Sequence, residues 1–243
     1  MPLPTLYVKG MFEFEDNTKI SNEDKKLLEM RPIDAVCEIY RRKLKNKGKN
    51  NRVNFLVSFT GSGKSTVLPP ELYLQLDLKN SAIIMSEPRI NLVDNAANDI
   101  LNYHKDWSFG EQIAIHTGNK IIKSTRKSYI EFCTTQVIQN FLQKVLDSST
   151  PEKYLTKYKL IIIDEAHILE IQNLTVLASV KRFLNMFGNN ENCPLFVFTS
   201  ATIDTKYYIK YFDLKQDNYL VSIVRGVPNF PATLCVSIND TVI

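Results

Sequence analysis

Residues 53–66 read Val-Asn-Phe-Leu-Val-Ser-Phe-Thr-Gly-Ser-Gly-Lys-Ser-Thr and join an apolar run to a glycine-rich turn. The β-branched and aromatic residues predict a central strand, and the Gly-Ser-Gly-Lys-Ser-Thr segment predicts a turn into a helix. Small residues let backbone N–H groups point at phosphate oxygens, and the positive N-terminal end of a helix adds to the attraction. The stretch therefore predicts a phosphate-binding loop. A plain glycine-rich turn is the alternative.

The side chains of this loop have separate expected roles. Lys64 supplies a positive charge for the β- and γ-phosphates, and the Ser65 hydroxyl is a ligand for Mg²⁺. The pattern Gly-x-x-x-x-Gly-Lys-[Ser/Thr] has one exception, because Ser58 stands where the first glycine belongs. The predicted nucleotide-binding residues are Thr60, Gly61, Ser62, Gly63, Lys64, Ser65 and Thr66.

Composition limits the class of protein. With 243 residues, 44% of them hydrophobic, the chain can bury the core of one main domain. No apolar run approaches the roughly 20 residues that span a bilayer, and the N-terminus lacks a signal peptide pattern. We expect a soluble cytoplasmic protein with no membrane partner. The cysteines are far apart and lack metal-ligand spacing, which predicts reduced core thiols at Cys37, Cys133, Cys193 and Cys235.

The net charge of +4 is unevenly distributed. Residues 41–52 carry seven of the 30 basic residues and no acidic one, so the rest of the chain has 23 basic residues against 26 acidic ones. Such a run is either a phosphate-binding patch for nucleic acid or, more commonly in proteins, a solvated helix end and loop.

Strand and helix patterns alternate along the chain. Residues 1–20 give no firm pattern, and helical signals begin at Ser21 and again at Pro32. Apolar runs predict strands at 82–86, 112–116, 129–133, 160–163 and 195–199, and three- and four-residue steps predict helices at 90–103, 136–146 and 168–187. Nearly continuous apolar strands between helices indicate an α/β fold with a mostly parallel sheet covered on both faces. Ligands are expected at the carboxyl ends of its strands.

Residues 160–167, Leu-Ile-Ile-Ile-Asp-Glu-Ala-His, form the second strong signal. The apolar strand ends in two adjacent carboxylates, which places Asp164 at the sheet edge, where it can hold Mg²⁺. Glu165 then turns toward the γ-phosphate and accepts a proton from the attacking water. A surface acidic turn is the alternative for this pair.

The chain resembles superfamily 2 DEAH-box helicases, whose motifs I, II and III it carries in order. The matching segments are residues 60–65, Asp-Glu-Ala-His at 164–167 and Ser-Ala-Thr at 200–202. Glu-Pro-Arg at 87–89 and Thr-Thr at 134–135 resemble motifs Ia and Ib. The departures, including Ser58 and Phe59, suggest a divergent member similar to DEAH helicases of large cytoplasmic DNA viruses, located in the host cytoplasm or the virion.

This resemblance implies roles and a domain plan. His167, Ser200 and Thr202 would couple hydrolysis to nucleic-acid binding. Residues 53–226 would form a RecA-like domain after an N-terminal helical and basic extension at 1–52. Residues 227–243 would begin a linker to a second RecA-like domain, which supplies arginine fingers. The substrate implied is single-stranded RNA, with DNA possible, and the cofactors are ATP or another NTP with Mg²⁺. Residues 1–57 contain no glutamine, so the adenine-reading glutamine that DEAD-box relatives place before the phosphate loop is missing. Selectivity for the nucleotide base should therefore be loose.

The motifs that resemble Ia and Ib imply contacts with the sugar-phosphate backbone. Arg89, Thr134 and Thr135 would make them at the opposite end of the strands. The alternatives are that Arg89 caps a helix and that the threonines only end a strand. His104 and His116 favour surface or core roles, and Trp107 favours a partly exposed packing role over base stacking.

Two other functions remain open on the sequence. A non-catalytic module could hold nucleotide or RNA and act through a partner, but such a module needs no water-activating Glu165. A P-loop kinase or other NTPase is disfavoured by Ser-Ala-Thr at 200–202 and by the lack of an evident acceptor site. A nucleic-acid-stimulated NTPase and helicase is therefore the preferred hypothesis.

Overall fold

The computed structural model describes residues 30–58, 61–168 and 170–214, and the backbone of residues 5–9 and 221–225. Nine strands form one sheet in the order β1-β9-β2-β8-β7-β3-β6-β4-β5. The strands are β1 Thr5–Lys9, β2 Val53–Ser58, β3 Ala82–Glu87, β4 Ile113–His116, β5 Ile121–Ile122, β6 Ile130–Thr134, β7 Tyr158–Ile163, β8 Leu195–Ser200 and β9 Val221–Arg225.

Seven helices accompany the sheet in the described part of the chain. They are α1 Pro32–Lys45, α2 Leu68–Gln75, α3 Ile90–Tyr103, α4 Thr135–Leu146, α5 Glu152–Leu155, α6 Ile171–Phe187 and α7 Thr205–Tyr211. A 3-10 turn, Lys49–Arg52, leads into β2. None of the helices is long and apolar enough to cross a membrane.

The central strands run parallel, as the apolar runs predict. Parallel pairing joins β2 to β8, β8 to β7, β7 to β3, β3 to β6 and β6 to β4. Their carboxyl ends therefore meet along a single edge of the sheet. The two outer pairings, β1 with β9 and β4 with β5, are antiparallel.

Each face of the sheet carries its own apolar core. Side chains of α1, α2 and α3 pack on one face, and those of α4, α6 and α7 pack on the other. Successive strand residues alternate between the two cores: Ile162 belongs to the first, and Ile161 and Ile163 to the second. The α/β class and the two covered faces are confirmed.

Helix α1 shows how the N-terminal region joins the domain. It begins at Pro32, as predicted, and buries Val36, Ile39 and Tyr40 in the core that also contains strand residues. The division of the chain at residue 52 stays a prediction, although α1 packs as part of the sheet's own cover. The helical signal at Ser21 and the segment 227–243 lie outside the described residues.

Most basic side chains of the run at 41–52 contact other groups of the protein. Lys43 is 3% exposed, and its Nζ donates a hydrogen bond to the Val53 carbonyl at 2.8 Å. Arg52 is 1% exposed and donates to backbone carbonyls of the 190–191 turn at 3.3 Å. Arg41 and Arg42 both pair with Glu38 on α1. Neither a nucleic-acid patch nor a solvated surface describes Lys43 and Arg52, because both are buried and donate to backbone carbonyls.

Several other expectations concern packing. Trp107 is half-buried and stacks on His104 with ring centroids 4.3 Å apart, which confirms its packing role. The three described cysteines are buried free thiols, and Cys235 lies outside the described residues. His116 has a partner that the sequence did not reveal, because its Nδ1 lies 3.2 Å from the buried carboxylate of Glu131.

Candidate nucleotide site and nucleic-acid cleft

The loop after β2 has the backbone shape of a phosphate cradle. Gly61 and Gly63 have φ angles of 80° and 86°, in the left-handed region that favours glycine. A Cβ on Gly63 would also come within 2.6 Å of Val67 Cγ2, so no other residue fits there without a shift. Phe59 and Thr60 lie outside the described residues, and the predicted role of Thr60 stays a prediction.

Ser58 occupies the first glycine position of the motif without strain. It is the last residue of β2, is buried, and needs no left-handed backbone. Its hydroxyl accepts a hydrogen bond from the Ser62 hydroxyl at 2.8 Å. The serine that departs from the motif thus ties the end of the strand to the middle of the loop.

The helix after the loop begins at Leu68, two residues after the motif ends. Residues 61–67 form turns, and α2 starts only at Leu68. Pro69 and Pro70 have no N–H, so the hydrogen bonds that would extend a regular helix back through Ser65 and Thr66 cannot form. The predicted turn into a helix is confirmed, and it is closed by N–H groups of residues 67 and 68 on the Gly63 carbonyl.

The side chains of Lys64 and Ser65 both form hydrogen bonds with other groups of the protein. A bound nucleotide would replace these contacts or add to them. Lys64 is 7% exposed, and its Nζ donates to the Ser58 carbonyl at 3.1 Å. The Ser65 hydroxyl donates to Asp164 Oδ2 at 3.0 Å, across 99 positions of sequence. Motifs I and II are therefore brought into direct contact at the sheet edge.

Asp164 is fixed from both sides. Its Oδ1 accepts hydrogen bonds from the Thr199 hydroxyl and from the Glu165 backbone N–H, the latter at 2.9 Å. Thr199 is fully buried on β8 and was not singled out from the sequence. Its position directly before Ser-Ala-Thr, on the strand beside β7, is the signal that could have identified it.

The other motif residues form a short polar chain. Glu165 has a φ of 48°, which is uncommon for a non-glycine residue and often marks a functional site. Its Oε2 lies 3.2 Å from His167 Nδ1, and that nitrogen lies 2.9 Å from the Ser200 hydroxyl. Ser200 Oγ accepts the Thr202 backbone N–H at 3.0 Å, whereas the Thr202 side chain is exposed. The structure thus brings motifs II and III together.

Glu87 is a site residue whose place the sequence reading missed. It ends β3 and is 3% exposed. Burial, followed by the nearby Asp164 carboxylate, raises the pKa of Glu87 to about 8, while the Ser65 hydroxyl and Lys64 oppose the rise. Because Ser86 pairs with Ile163, the residues that follow them, Glu87 and Asp164, are neighbours at the edge. Strand order, which one sequence does not reveal, is what makes them neighbours.

The residues present fit a nucleoside triphosphate with Mg²⁺. The glycine cradle leaves room for phosphate, Lys64 carries the positive charge, and Ser65 with Asp164 offers oxygen ligands. Within residues 30–58, 61–168 and 170–214, no group of three or more His, Cys, Asp or Glu side chains could hold a metal by itself. That arrangement suits Mg²⁺, which takes one or two protein ligands, several waters and substrate phosphates.

A second cleft lies on the same edge, at the ends of β3, β6 and β4. It has a volume of about 610 Å³ and is lined by Arg89, Thr134, His116 and polar side chains of α3, α4 and α6. The expectation that the motif Ia and Ib residues sit at the opposite end of the strands is wrong. They follow the carboxyl ends of the parallel strands β3 and β6, whose ends meet at one edge.

The individual cleft residues differ in accessibility. Arg89 is exposed and occupies the N-cap position of α3, but its side chain makes no capping hydrogen bond. Thr134 is half-buried and likewise makes no side-chain cap on α4. Thr135 is 5% exposed and is not among the residues that line the cleft. Arg89 and Thr134 are therefore available to a ligand, and Thr135 is packed inside.

Comparison with known proteins gives the class. Residues 25–205 match the family model described as "Type III restriction enzyme, res subunit". This chain belongs to that family, whose helicase domain is of superfamily 2.

Individual relatives are similar to parts of this chain. It is 31% identical over 179 residues to "Zinc finger CCCH domain-containing protein 4" of rice, covering 73% of this chain and 16% of that protein. It is 33% identical over 181 residues to "DExH-box ATP-dependent RNA helicase DExH8" of Arabidopsis thaliana, covering 74% and 16%. It is 28% identical over 187 residues to "Putative RNA Helicase B962L" of African swine fever virus, covering 70% and 19%. The chain thus spans less than a fifth of the length of each.

Proposed function

We propose that this chain is the ATP-binding half of a nucleic-acid-stimulated NTPase that unwinds RNA or remodels RNA–protein complexes. The observation that carries the proposal is the hydrogen bond between Ser65 and Asp164, which joins the phosphate loop to the acidic motif. The relatives named as RNA helicases support RNA as the substrate. Loose base selectivity, cytoplasmic location and the second RecA-like domain belong to the same proposal.

The chain's residues divide the work as follows. Backbone N–H groups of residues 61–65 bind phosphate oxygens, and Lys64 exchanges the Ser58 carbonyl for the β- and γ-phosphates. Ser65 and Asp164 hold Mg²⁺, which when bound neutralises charge on the phosphates. Glu165 accepts the proton of the attacking water.

The polar chain from Glu165 to Thr202 is proposed to couple nucleotide hydrolysis to nucleic-acid binding. His167 lies between Glu165 and Ser200, so a shift of β8 or of the turn after it would move the proton acceptor. The cleft that contains Arg89 opens along the same edge, on the strands beyond β7. Occupation of that cleft by a nucleic-acid strand is proposed to reach Glu165 through this edge.

A nucleotide titration tests the proposal. The chain is titrated into a fluorescent ATP analogue with Mg²⁺, with and without poly-U. We expect saturable binding that depends on Mg²⁺, and binding of poly-U to the same chain. A folded chain, verified by circular dichroism, that binds neither nucleotide nor poly-U would contradict the proposed function. A deoxy strand of equal length measures the preference for RNA.

The cleft predicts how nucleic acid is held. Replacing Arg89 with alanine should weaken binding of single-stranded RNA for every sequence, because a phosphate contact carries no sequence information. The slope of log K against log salt should become shallower by about 0.7, the change expected for one released counterion on a single strand. Fluorescence anisotropy at several salt concentrations measures both quantities.

Lys45→Ala is the matched control, because Lys45 is an exposed cation of the basic run that lies outside the cleft. It should leave the slope unchanged if the basic run serves the fold. An unchanged slope in Arg89→Ala would remove Arg89 from the binding track, and an equal change in Lys45→Ala would return the basic run to it.

A further inference from the structure

Glu87 has a buried carboxyl group, one oxygen of which lacks a hydrogen-bond partner in the described part of the chain. Glu87 is 3% exposed, and its Oε1 has no hydrogen-bond partner among the described residues. Leaving a buried acceptor unpaired destabilises a protein, and more so when the group is charged. The unpaired oxygen, at a proposed ligand site, therefore calls for a partner from outside the chain.

The surroundings of Glu87 carry more negative charge than positive charge. The carboxylates of Asp164 and Glu165 disfavour its ionised form, whereas the Lys64 charge and a hydrogen bond from Ser65 favour that form. The single Ser65 hydroxyl hydrogen is shared with Asp164 Oδ2, which lies 3.0 Å from the Ser65 oxygen. A hydrated divalent cation would correct the imbalance, because it brings positive charge and water O–H donors together.

We propose that Glu87 is a third carboxylate of the metal–nucleotide site, which accepts a hydrogen bond from a water molecule bound to Mg²⁺. The inference rests on the proposed nucleotide function. Glu87 acts as a positioning residue that holds the metal's water shell, with Ser65 and Asp164 as the ligand side chains. Contact through water fits the lack of a three-residue metal cluster in the described part of the chain and the several waters that Mg²⁺ retains.

This role predicts an effect that appears only when metal is present. Without Mg²⁺, Glu87 has no metal-bound water to contact, so Glu87→Gln should bind nucleotide as tightly as the natural chain in EDTA. With Mg²⁺, the variant loses a charge-assisted hydrogen bond to the metal's water. It should need about tenfold more Mg²⁺ for half-maximal binding, the change that about 1.4 kcal/mol produces. A damaged loop would weaken binding under both conditions, so a loss of affinity confined to the Mg²⁺ titration identifies the role.

The experiment titrates a fluorescent ADP analogue into the full chain at a series of Mg²⁺ concentrations and in EDTA. The matched control is Glu131→Gln, a buried glutamate on the neighbouring strand that lies three residues before β6 ends. It should leave the Mg²⁺ requirement unchanged. Glu87→Asp, which keeps the charge one methylene further back, should shift the requirement in the same direction by less. It replaces the glutamine variant if that variant does not fold.

The outcomes separate the two levels of the proposal. If the natural chain binds nucleotide and Glu87→Gln shows the same Mg²⁺ requirement, or if Glu87→Gln binds more weakly in EDTA, the role of Glu87 is overturned while the nucleotide site stands. If the natural chain binds no nucleotide, the proposed function fails and this inference fails with it.

Discussion

Glu165→Gln is expected to leave binding of Mg·ATP within about twofold of the natural chain and to lower the hydrolysis rate by about 10²–10⁴-fold, the usual contribution of a positioned general base. Glutamine keeps the size of the side chain and can still contact His167. It cannot accept the proton of the attacking water. The rate must be measured in an assembly that turns over ATP, by release of phosphate at saturating RNA.

Lys64→Ala is the comparison that gives this result its meaning. The Lys64 ammonium meets phosphate charge that is already present in the bound nucleotide, so its loss should weaken binding itself. The two variants should therefore separate, one failing in chemistry and the other in affinity. Turnover at the natural rate by Glu165→Gln would show that another group accepts the proton, and the strained turn at Glu165 would need a different explanation.

The central strands could be predicted closely because they are buried on both faces. The apolar run predicted at 195–199 became β8, Leu195–Ser200, and the helix predicted at 90–103 became α3 with the same bounds. By contrast, residues 5–9 form β1, although that part of the chain has no firm strand or helix pattern. That strand pairs with β9 more than 200 positions away, and no local pattern records such a distant antiparallel partner.

The same distinction between local pattern and distant strand pairing applies to the residues of the site. Residues whose role depends on local order, such as Gly63 and Lys64, follow from the motif. Residues whose role depends on strand neighbours do not: Thr199 reaches Asp164 from β8, and Glu87 reaches it from β3.

The second large effect concerns what this chain can do by itself. We predict that the 243-residue polypeptide binds nucleotide with Mg²⁺ but hydrolyses it about 10³–10⁵-fold more slowly than a complete helicase, and unwinds no duplex. That factor is what an arginine finger contributes, or roughly 4–7 kcal/mol of transition-state stabilisation. Arg41, Arg52 and Arg126 are each held by other partners, and Arg89 lines the nucleic-acid cleft.

The test is to supply the second RecA-like domain, fused or in trans, and to measure RNA-stimulated phosphate release. The rate should rise by the factor expected for a finger, and Glu165→Gln in this chain should abolish the gain, which would assign the turnover to this nucleotide site rather than to the added domain. Fast RNA-stimulated hydrolysis by the chain alone would refute the prediction and would point to a finger supplied by a second copy. A concentration dependence of the rate would then distinguish such self-association from an arginine within the same chain, because only the former rises with the amount of protein.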